Sequence, residues 1–347
     1  MTDVTSSTPA TLHDVAREAG VSLATASRSL NGSARKVNEE YRQRVLVAAA
    51  KLNYTPNLSA QAVAKGATST VALLVSDIAD PYFSSIAAGV IQTAEAHGLI
   101  VTMAVTGRSA ERELDLVRAL RGQRPRVMVL TGSRSEGSEP QPALIAELKA
   151  FARTGGRVVL ISQEGMPFST VVVENYRGAR ALANSLVGQG YRRFAAVGGS
   201  RDLITSRDRL AGFADGLAEH GIAIHPNHVV RGEFTRDGGF AAATELIANG
   251  LDQIELVFAV SDVMAIGAMS ALREAGIDVP RDIAMAGFDD IDTARDVNPA
   301  LTTVHIPLAD LGRQAVELAL SDAALTFDEV VKVETRVVLR ASTGSTA

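Results

Sequence analysis

From residue 71 onward, short apolar runs alternate with amphipathic helical stretches. Seven runs have the composition of buried strands: 71–75, 100–105, 127–130, 158–161, 194–199, 256–260 and 283–287. Apolar residues recur at helical spacing in 84–97, 110–121, 175–188, 206–219, 236–249, 262–275 and 307–320. Continuous apolar strands separated by helices are typical of parallel sheets covered on both faces. The pattern predicts an α/β body of two doubly wound parallel lobes that meet near residues 172–175.

The first 56 residues have a different, all-α pattern. Apolar residues lie on one helical face over 12–19, and Gly20 allows the left-handed turn that ends such a helix. Ser22 is a good N-cap for a second helix to about residue 30, and Asn38 precedes a third helix that extends to residue 52. This order of elements predicts a helix-turn-helix domain: a helix, a short turn with glycine, a second helix and a supporting helix.

Composition divides the chain into further segments. Residues 1–10 are rich in Ser and Thr and are expected to form a disordered tail. We expect the helix-turn-helix domain at 11–56, a linker at 57–68, the α/β core at 69–341 and a short tail at 342–347. Within the core, the N-lobe is expected to combine 69–172 with 302–332, and the C-lobe 173–301 with 333–341.

Charge is distributed unevenly between these segments. Residues 1–66 contain eight lysines and arginines against five acidic residues, a net charge of +3, whereas the rest of the chain carries −8. A basic head on an acidic body indicates that only the head meets a polyanion such as DNA.

Composition also excludes several classes of protein. The chain has no cysteine, which excludes a disulfide framework, a Cys-ligated metal site and a thiol nucleophile. No apolar run approaches the roughly 18 residues of a membrane span, and the polar N-terminus lacks the apolar region of a secretory signal. We therefore expect a soluble cytoplasmic protein that contacts no membrane.

Motifs for catalysis or cofactor binding are weak. Gly188-Gln189-Gly190 precedes a strand instead of following one, so it is no dinucleotide fingerprint, and no phosphate-binding loop or nucleophile elbow occurs. His220, His225 and His228 cluster in a polar turn, which is more typical of a solvated loop than of a metal site. We expect no catalytic residue, no metal and no cofactor.

The segment TLHDVAREAGVSLATASRSLNG, residues 11–32, resembles the DNA-binding head of the LacI/GalR family of transcriptional regulators. Nearly every position of the family pattern matches, except that Ala26 replaces the usual valine. The runs VNEEYRQRV and LNYTPN continue the pattern, and the resemblance covers about residues 10–341. It implies a repressor-type regulator whose affinity for operator DNA is controlled by a sugar, polyol or nucleoside between the two lobes.

The resemblance assigns roles to residues of the second helix. Leu23, Ala24 and Arg28 occupy the family's base-contacting positions, and Arg28 could bind guanine through O6 and N7. Five small polar residues match phosphate-contacting positions that hold the head without discriminating sequence: Thr11, Ser22, Thr25, Ser27 and Asn31. The alternative is that Arg28 belongs to the solvated face of an ordinary helix.

The linker resembles the family's hinge helix, which enters the minor groove of DNA. The match places Ala60 and Val63 at the minor groove, with Val63 where the family usually has a leucine wedge. Valine is shorter and β-branched, so a weaker wedge is expected. The alternative is a plain flexible linker.

The effector site implied by the family combines polar and aromatic side chains from both lobes. Asp80, Tyr82 and Phe83 follow the first strand, where ligands of parallel sheets bind. Matches to the family add Thr205, Arg209, Phe234 and Asp289, and two departures from its pattern are Ser162 in place of Asp and Ser261 in place of Asn. The alternatives are a surface ion pair of Arg209 with Asp208 or Glu219, and a plain core role for Phe234.

These inferences predict a homodimer on palindromic double-stranded DNA, because one recognition helix contacts too few bases for operator specificity. The residues after Arg340 are too short and polar for the C-terminal heptad helix that makes tetramers of some relatives. Two other classes stay open: a solute-binding protein without a DNA role, and an enzyme on a doubly wound fold.

Overall fold

The computed structural model describes residues 10–31, 37–55, 68–137, 141–251, 253–321 and 329–344. Internal contacts divide the chain into two compact units, Met1–Thr68 and Ser69–Ala347. The predicted hinge residues Ala60 and Val63 and residues 1–9 of the predicted tail lie outside the described residues.

The first unit contains three helices, α1 (Leu12–Ala19), α2 (Leu23–Asn31) and α3 (Glu39–Lys51). Local hydrogen bonds explain their starts: the Thr11 and Asp14 side chains form a capping box on α1, and the Asn38 side chain accepts a hydrogen bond from the Glu40 N–H at 2.9 Å. Gly20 ends α1 at φ 62°. A small core of aliphatic residues joins the three helices: Val15, Ala16, Ala19, Ala26, Val45, Ala48 and Ala49. The predicted helix-turn-helix pattern is confirmed.

The second unit alternates strands and helices. In chain order these are β1 (Thr70–Val75), α4 (Pro81–Ala96), β2 (Ile100–Val105), α5 (Ala110–Gly122), β3 (Val127–Thr131), α6 (Gln141–Arg153), β4 (Arg157–Ile161), β5 (Ser169–Val173), α7 (Asn175–Gly188), β6 (Phe194–Gly198), α8 (Ile204–Ala218), a 3-10 turn (Pro226–His228), β7 (Val229–Arg231), α9 (Arg236–Ala248), β8 (Leu256–Ala259), α10 (Asp262–Glu274), β9 (Ala284–Ala286), α11 (Thr293–Asp296), β10 (Thr303–His305), α12 (Leu308–Leu320), β11 (Val330–Val333) and β12 (Arg336–Val338).

The strands form two parallel sheets, one in each lobe. The N-lobe sheet has the order β11-β5-β4-β3-β1-β2, and the C-lobe sheet has the order β7-β6-β8-β9. β10 and β12 form a short antiparallel pair. All seven predicted strands are present, and the prediction of two parallel α/β lobes is confirmed. It missed the helices α6 and α11 and the strands β5, β7, β10, β11 and β12. Three of these strands have only three residues, too few for a periodic pattern.

Two predicted boundaries of the core are wrong. Residues 302–305 were expected in the N-lobe, but Thr302 bridges Ala286 and His305 bridges Asp289, so this segment extends the C-lobe and the chain returns to the N-lobe only at α12. Residues 342–347 were expected to form a tail, but Ser342 is fully buried and its hydroxyl donates a hydrogen bond to the Met285 carbonyl at 2.6 Å. Long-range hydrogen bonds, which local patterns do not encode, cause both errors.

The interface of α4 with α12 depends on glycine at the point of closest approach. A Cβ atom at Gly89 would lie 1.9 Å from the Ala309 carbonyl oxygen, a contact that backbone atoms cannot relieve by a rotamer change. We expect Gly89→Ala to destabilise the protein by about 1–3 kcal/mol through overpacking. The midpoint of urea unfolding, followed by circular dichroism, measures the loss.

Gly188→Ala is the matched control for that substitution. Gly188 is the last residue of α7, and its added Cβ would meet no atom within 4 Å. Because alanine has the higher helix propensity, we expect this change to leave stability unaltered or raise it by up to ~1 kcal/mol. Equal destabilisation by both substitutions would show that the close approach of α4 and α12 is not what requires Gly89.

Candidate functional site

The outer face of α2 presents the residues assigned to base contacts. Leu23 is 39% exposed, and Ala24 and Arg28 are also exposed, whereas Ala26 and Ser29 on the opposite face are buried in the head. Among the described residues Arg28 forms no ion pair. A guanidinium on the exposed face of a nine-residue helix has the freedom to meet a guanine edge in the major groove.

The small polar residues of the head have partners of their own. The Thr11 hydroxyl donates to the Asp14 carboxylate at 2.7 Å. The Ser22 hydroxyl caps α2 by accepting a hydrogen bond from the Thr25 N–H at 3.1 Å, and it lies 2.9 Å from the Thr25 hydroxyl. Ser27 is half-buried in α2, and the side chain of Asn31 lies outside the described residues. Thr11 and Ser22 stand at helix N-termini, where phosphate binding is favourable, and their phosphate contacts stay a prediction.

A cavity lies between the two lobes of the second unit. The carboxyl ends of β4 and β5 contribute to it from the N-lobe, and the start of α8 contributes from the C-lobe. It is lined by eight of the nine predicted effector residues: Asp80, Tyr82, Phe83, Ser162, Thr205, Arg209, Phe234 and Asp289. Parallel α/β sheets bind ligands at this edge.

Arg209 is the centre of a buried polar network in this cavity. Arg209 is only 2% exposed. Its Nη2 lies 2.8 Å from Asp289 Oδ1. Its Nε donates to Asn175 Oδ1 at 2.8 Å and its Nη1 to the Val260 carbonyl at 2.7 Å, while the guanidinium lies 4.0 Å from the centre of the Phe288 ring. The alternative of a surface ion pair is therefore wrong.

Asp289 is the carboxylate of this buried pair. Its Oδ1 lies 2.8 Å from Arg209 Nη2 and is enclosed by protein. Burial raises the pKa of Asp289, while the Arg209 charge opposes this shift. Asp289 lines the cavity, and a carboxylate can accept hydrogen bonds from the hydroxyl groups of a ligand.

Asp80 positions the aromatic wall of the cavity. Its Oδ1 accepts a hydrogen bond from the Tyr82 N–H at 3.0 Å, which begins α4, and its Oδ2 pairs with Arg108 Nη2 at 3.2 Å. The Tyr82 and Phe83 rings meet edge to face at 5.0 Å. Burial is the main cause of the raised pKa values of Asp80 and of the Tyr82 hydroxyl.

Phe234 faces this wall from the C-lobe. The guanidinium of Arg108 lies 5.7 Å from the Phe83 ring centre and 5.8 Å from the Phe234 ring centre, so it stands between aromatic residues of the two lobes. Phe234 is half-buried and lines the cavity, which argues against a plain core role.

Sequence reasoning missed two further residues of this site, of which Gln163 connects the lobes and Asn175 binds Arg209 within the C-lobe. The Gln163 amide donates to the Thr205 hydroxyl at 2.7 Å, and Asn175 accepts from Arg209. Ser162 donates to the Gly132 carbonyl at 2.6 Å. Gln163 follows Ser162 directly and could have been found from that position, whereas Asn175 follows β5, a strand that the sequence pattern did not indicate.

The prediction for Ser261 is corrected. Ser261 is fully buried, does not line the cavity and is the N-cap of α10, where its hydroxyl accepts a hydrogen bond from the Met264 N–H at 3.4 Å. A short serine side chain that caps its own helix does not extend as far as the asparagine of the family pattern.

A metal-binding cluster and a membrane-spanning helix are both absent from the part of the chain that the structure describes. No group of three acidic or histidine side chains within the described ranges could hold a metal ion. No helix in the same part of the chain is long and apolar enough to cross a membrane.

A helix-turn-helix head followed by a two-lobed parallel α/β unit with a polar interlobe cavity defines a class: ligand-responsive transcriptional regulators. Two family models match the chain. The model described as bacterial regulatory proteins of the lacI family matches residues 11–57, and that of the periplasmic binding protein-like domain matches residues 183–343. The chain belongs to the lacI family, and its function is DNA-binding transcriptional regulation.

Individual relatives match along nearly the whole chain. The HTH-type transcriptional regulator GalS of Salmonella typhimurium is 35% identical over 320 residues, which cover 92% of this chain and 91% of GalS. The transcriptional regulator CelR in complex with cellobiose has 31% identity and a TM-score of 0.70, covering 96% of this chain and 99% of CelR. The lac repressor dimer bound to operator and the anti-inducer ONPF has 25% identity and a TM-score of 0.82, covering 97% of this chain and 99% of the repressor.

Proposed function

We propose that this protein is a repressor-type regulator that binds a palindromic operator as a homodimer in the cytoplasm. In this proposal a neutral polyhydroxylated molecule, a sugar in the first place, occupies the interlobe cavity and changes the affinity for the operator. The buried Arg209–Asp289 pair, which lines the cavity between the lobes, is the observation that carries it. The operator-bound lac repressor dimer and the cellobiose complex of CelR support it by similarity.

The cavity suits a sugar ring. Asp289 accepts hydrogen bonds from hydroxyl groups, and the hydroxyls of Thr205 and Ser162 supply both donors and acceptors. Tyr82, Phe83 and Phe234 cover apolar ring faces. These groups bind a ligand without attacking it, and we propose that the protein is not an enzyme.

The structure suggests how occupancy is transmitted between lobes. Asp289 and Asp290 both have positive φ, 124° and 57°, so the ligand-facing residue and its neighbour form a strained pair. Asp290 binds His305 Nδ1 at 2.8 Å and Arg340 Nη2 at 2.5 Å, and these partners lie close to the segments where the chain crosses between lobes. A ligand that moves Asp289 would shift these crossings, with a coupling of about 1–3 kcal/mol that acts equally on ligand and operator affinity.

Fluorescence anisotropy on DNA from the promoter of the protein's own gene tests the proposal. We expect a palindromic site to bind at least ~10³-fold more tightly than the same duplex with scrambled half-sites at physiological salt. Affinity for both duplexes should fall as salt increases, because phosphate contacts release counterions. Sedimentation should show a dimer. A monomer that binds both duplexes equally would refute the proposal.

A further inference from the structure

A basic surface lies at the amino ends of the N-lobe strands, at the edge of the sheet opposite the effector cavity. Two segments carry it, residues 116–127 around the end of α5 and residues 149–158 around the end of α6. Together they contain seven basic residues and no acidic residue, although residues 67–347 carry a net charge of −8. We call these seven residues the N-lobe rim: Arg118, Arg121, Arg124, Arg126, Lys149, Arg153 and Arg157. Positive charge concentrated on an otherwise acidic body indicates a surface that meets a polyanion.

Sheet pairing sets part of the rim side by side. The Arg126 N–H donates a hydrogen bond to the Thr70 carbonyl at 2.9 Å, and the Arg157 N–H donates to the Arg126 carbonyl at 3.0 Å. Arg126 and Arg157 therefore occupy neighbouring positions at the starts of β3 and β4. Like charges on neighbouring strands destabilise a sheet unless a counter-charge is near.

Three members of the rim have partners within the protein. Glu147 pairs with Arg118 at 3.3 Å and with Arg121 at 2.6 Å, and Arg118 also pairs with Asp115 at 3.5 Å. Arg157 Nη1 donates to the backbone carbonyl that follows α12 at 3.0 Å. These contacts give the three side chains a structural role.

The other members of the rim are exposed: Arg124, Arg126, Lys149 and Arg153. Arg126 and Arg153 form no ion pair with any residue that the structure describes. A cation in the last turn of a helix interacts favourably with the helix dipole, which explains Arg153 but not Arg126, because Arg126 lies beyond α5. Arg124 has a φ of 53°, where glycine is favoured, so the turn itself does not select an arginine there.

The chain enters the core at this same edge. Thr70 begins β1 beside Arg126, and the twelve residues 57–68 join the core to the head. A chain of that length spans at most roughly 40 Å, so DNA bound by the head is tethered within reach of the rim. Exposed arginines bind phosphates and gain affinity from the release of counterions, whereas an acidic surface close to the duplex would repel it.

We infer that the N-lobe rim is a second DNA contact of this protein, in which Arg126 and Arg153 bind phosphates of the duplex that the head holds. The contact positions the core without discriminating sequence. It goes beyond the proposed function, because it requires neither a palindrome nor an effector.

Anisotropy titrations of the full chain on palindromic and scrambled duplexes at several salt concentrations test the inference. Arg126→Gln combined with Arg153→Gln should weaken binding to both duplexes about tenfold at physiological salt. A dimer loses four phosphate contacts, so the slope of log affinity against log salt should become shallower by about 2–4. The ratio of the two affinities should stay that of the parent, since phosphate contacts carry no sequence information.

Arg273→Gln combined with Arg336→Gln is the matched control. Both arginines are exposed without an ion pair among the described residues, and Arg273 lies in the last turn of α10 in the C-lobe as Arg153 does in the last turn of α6. The control pair removes the same charge and should change neither affinity nor slope. An unchanged slope in the rim pair, or equal losses in both pairs, would overturn the inference.

The absence of cysteine allows a direct test of where the DNA lies. Gln123→Cys places one thiol at the C-cap of α5 in the rim, and Ala275→Cys places one at the C-cap of α10 in the C-lobe. An iron chelate attached to the thiol cleaves the backbone of nearby DNA. We expect cuts in the duplex from the label at position 123 and none from the label at position 275. Absence of cuts from both labels would overturn the rim contact, whereas a parent protein without preference for the palindrome would refute the proposed function alone.

Discussion

Arg28→Ala is expected to abolish most of the preference for the operator over scrambled DNA. One bidentate contact between arginine and guanine supplies about 1–3 kcal/mol of discrimination. A dimer carries the change in both heads, so the loss should reach about 2–6 kcal/mol. Non-specific, salt-sensitive binding should persist, because it depends on phosphate contacts. Anisotropy titrations on palindromic and scrambled duplexes at several salt concentrations separate the two effects.

Arg17→Ala provides the comparison for this substitution. Arg17 also lies on the surface of the head, with a side chain 80% exposed, but it belongs to α1 and pairs with Asp14 at 3.3 Å. Its removal takes away one positive charge without touching the outer face of α2, so specificity should be retained. If Arg28→Ala and Arg17→Ala had the same small effect on discrimination between operator and scrambled DNA, the base-contacting role assigned to Arg28 would be refuted.

The head could be predicted almost to the residue because its determinants are local. The Thr11 capping box, the left-handed Gly20 and the Asn38 cap each act within four residues of the helix end that they define. The small aliphatic residues that form its core recur at helical spacing. The seven strands that were found were predictable for the same reason, since each lies in a continuous apolar run.

The parts of the fold that escaped prediction depend on contacts between distant residues. Arg108 pairs with Asp80 across 28 positions, and Thr302 binds Ser342 across 40 positions. A short strand such as β10 is stabilised by its neighbours and not by its own composition. Sequence therefore indicated eight residues that line the effector cavity but missed Arg108, Gln163 and Asn175, which hold those residues in place.

Arg209→Met is expected to have the largest effect on the second unit. Methionine fills a similar volume, but the carboxylate of Asp289 is then buried without its cation, and Asn175 and Val260 lose a donor. Breaking a buried ion pair in this way costs about 3–5 kcal/mol. The response of operator binding to ligand should disappear as well. Thermal unfolding measures the first effect and anisotropy with added ligand measures the second.

The pH dependence of stability separates the loss of the Arg209–Asp289 ion pair from a simple packing defect. Burial already raises the pKa of Asp289, and loss of the Arg209 charge removes the interaction that opposes this rise. A carboxyl whose pKa is higher in the folded protein than in the unfolded chain retains more protons when folded, so stability falls as pH rises above about 4. The parent protein shows the same fall up to the pKa of its own Asp289, about 8, so the deficit of Arg209→Met should grow only above that pH.

Adding Asp289→Asn to Arg209→Met removes the unpaired charge and keeps the shape of the side chain. The double variant should regain part of the lost stability and lose the pH-dependent part of the deficit, although it still fails to respond to ligand. A double variant as unstable as Arg209→Met at every pH would indicate that Asn175 and Val260, rather than the ion pair, require Arg209. If the double variant regains stability but operator binding still does not respond to ligand, then the Arg209–Asp289 pair accounts for both the cost of the buried charges and the sensing of ligand.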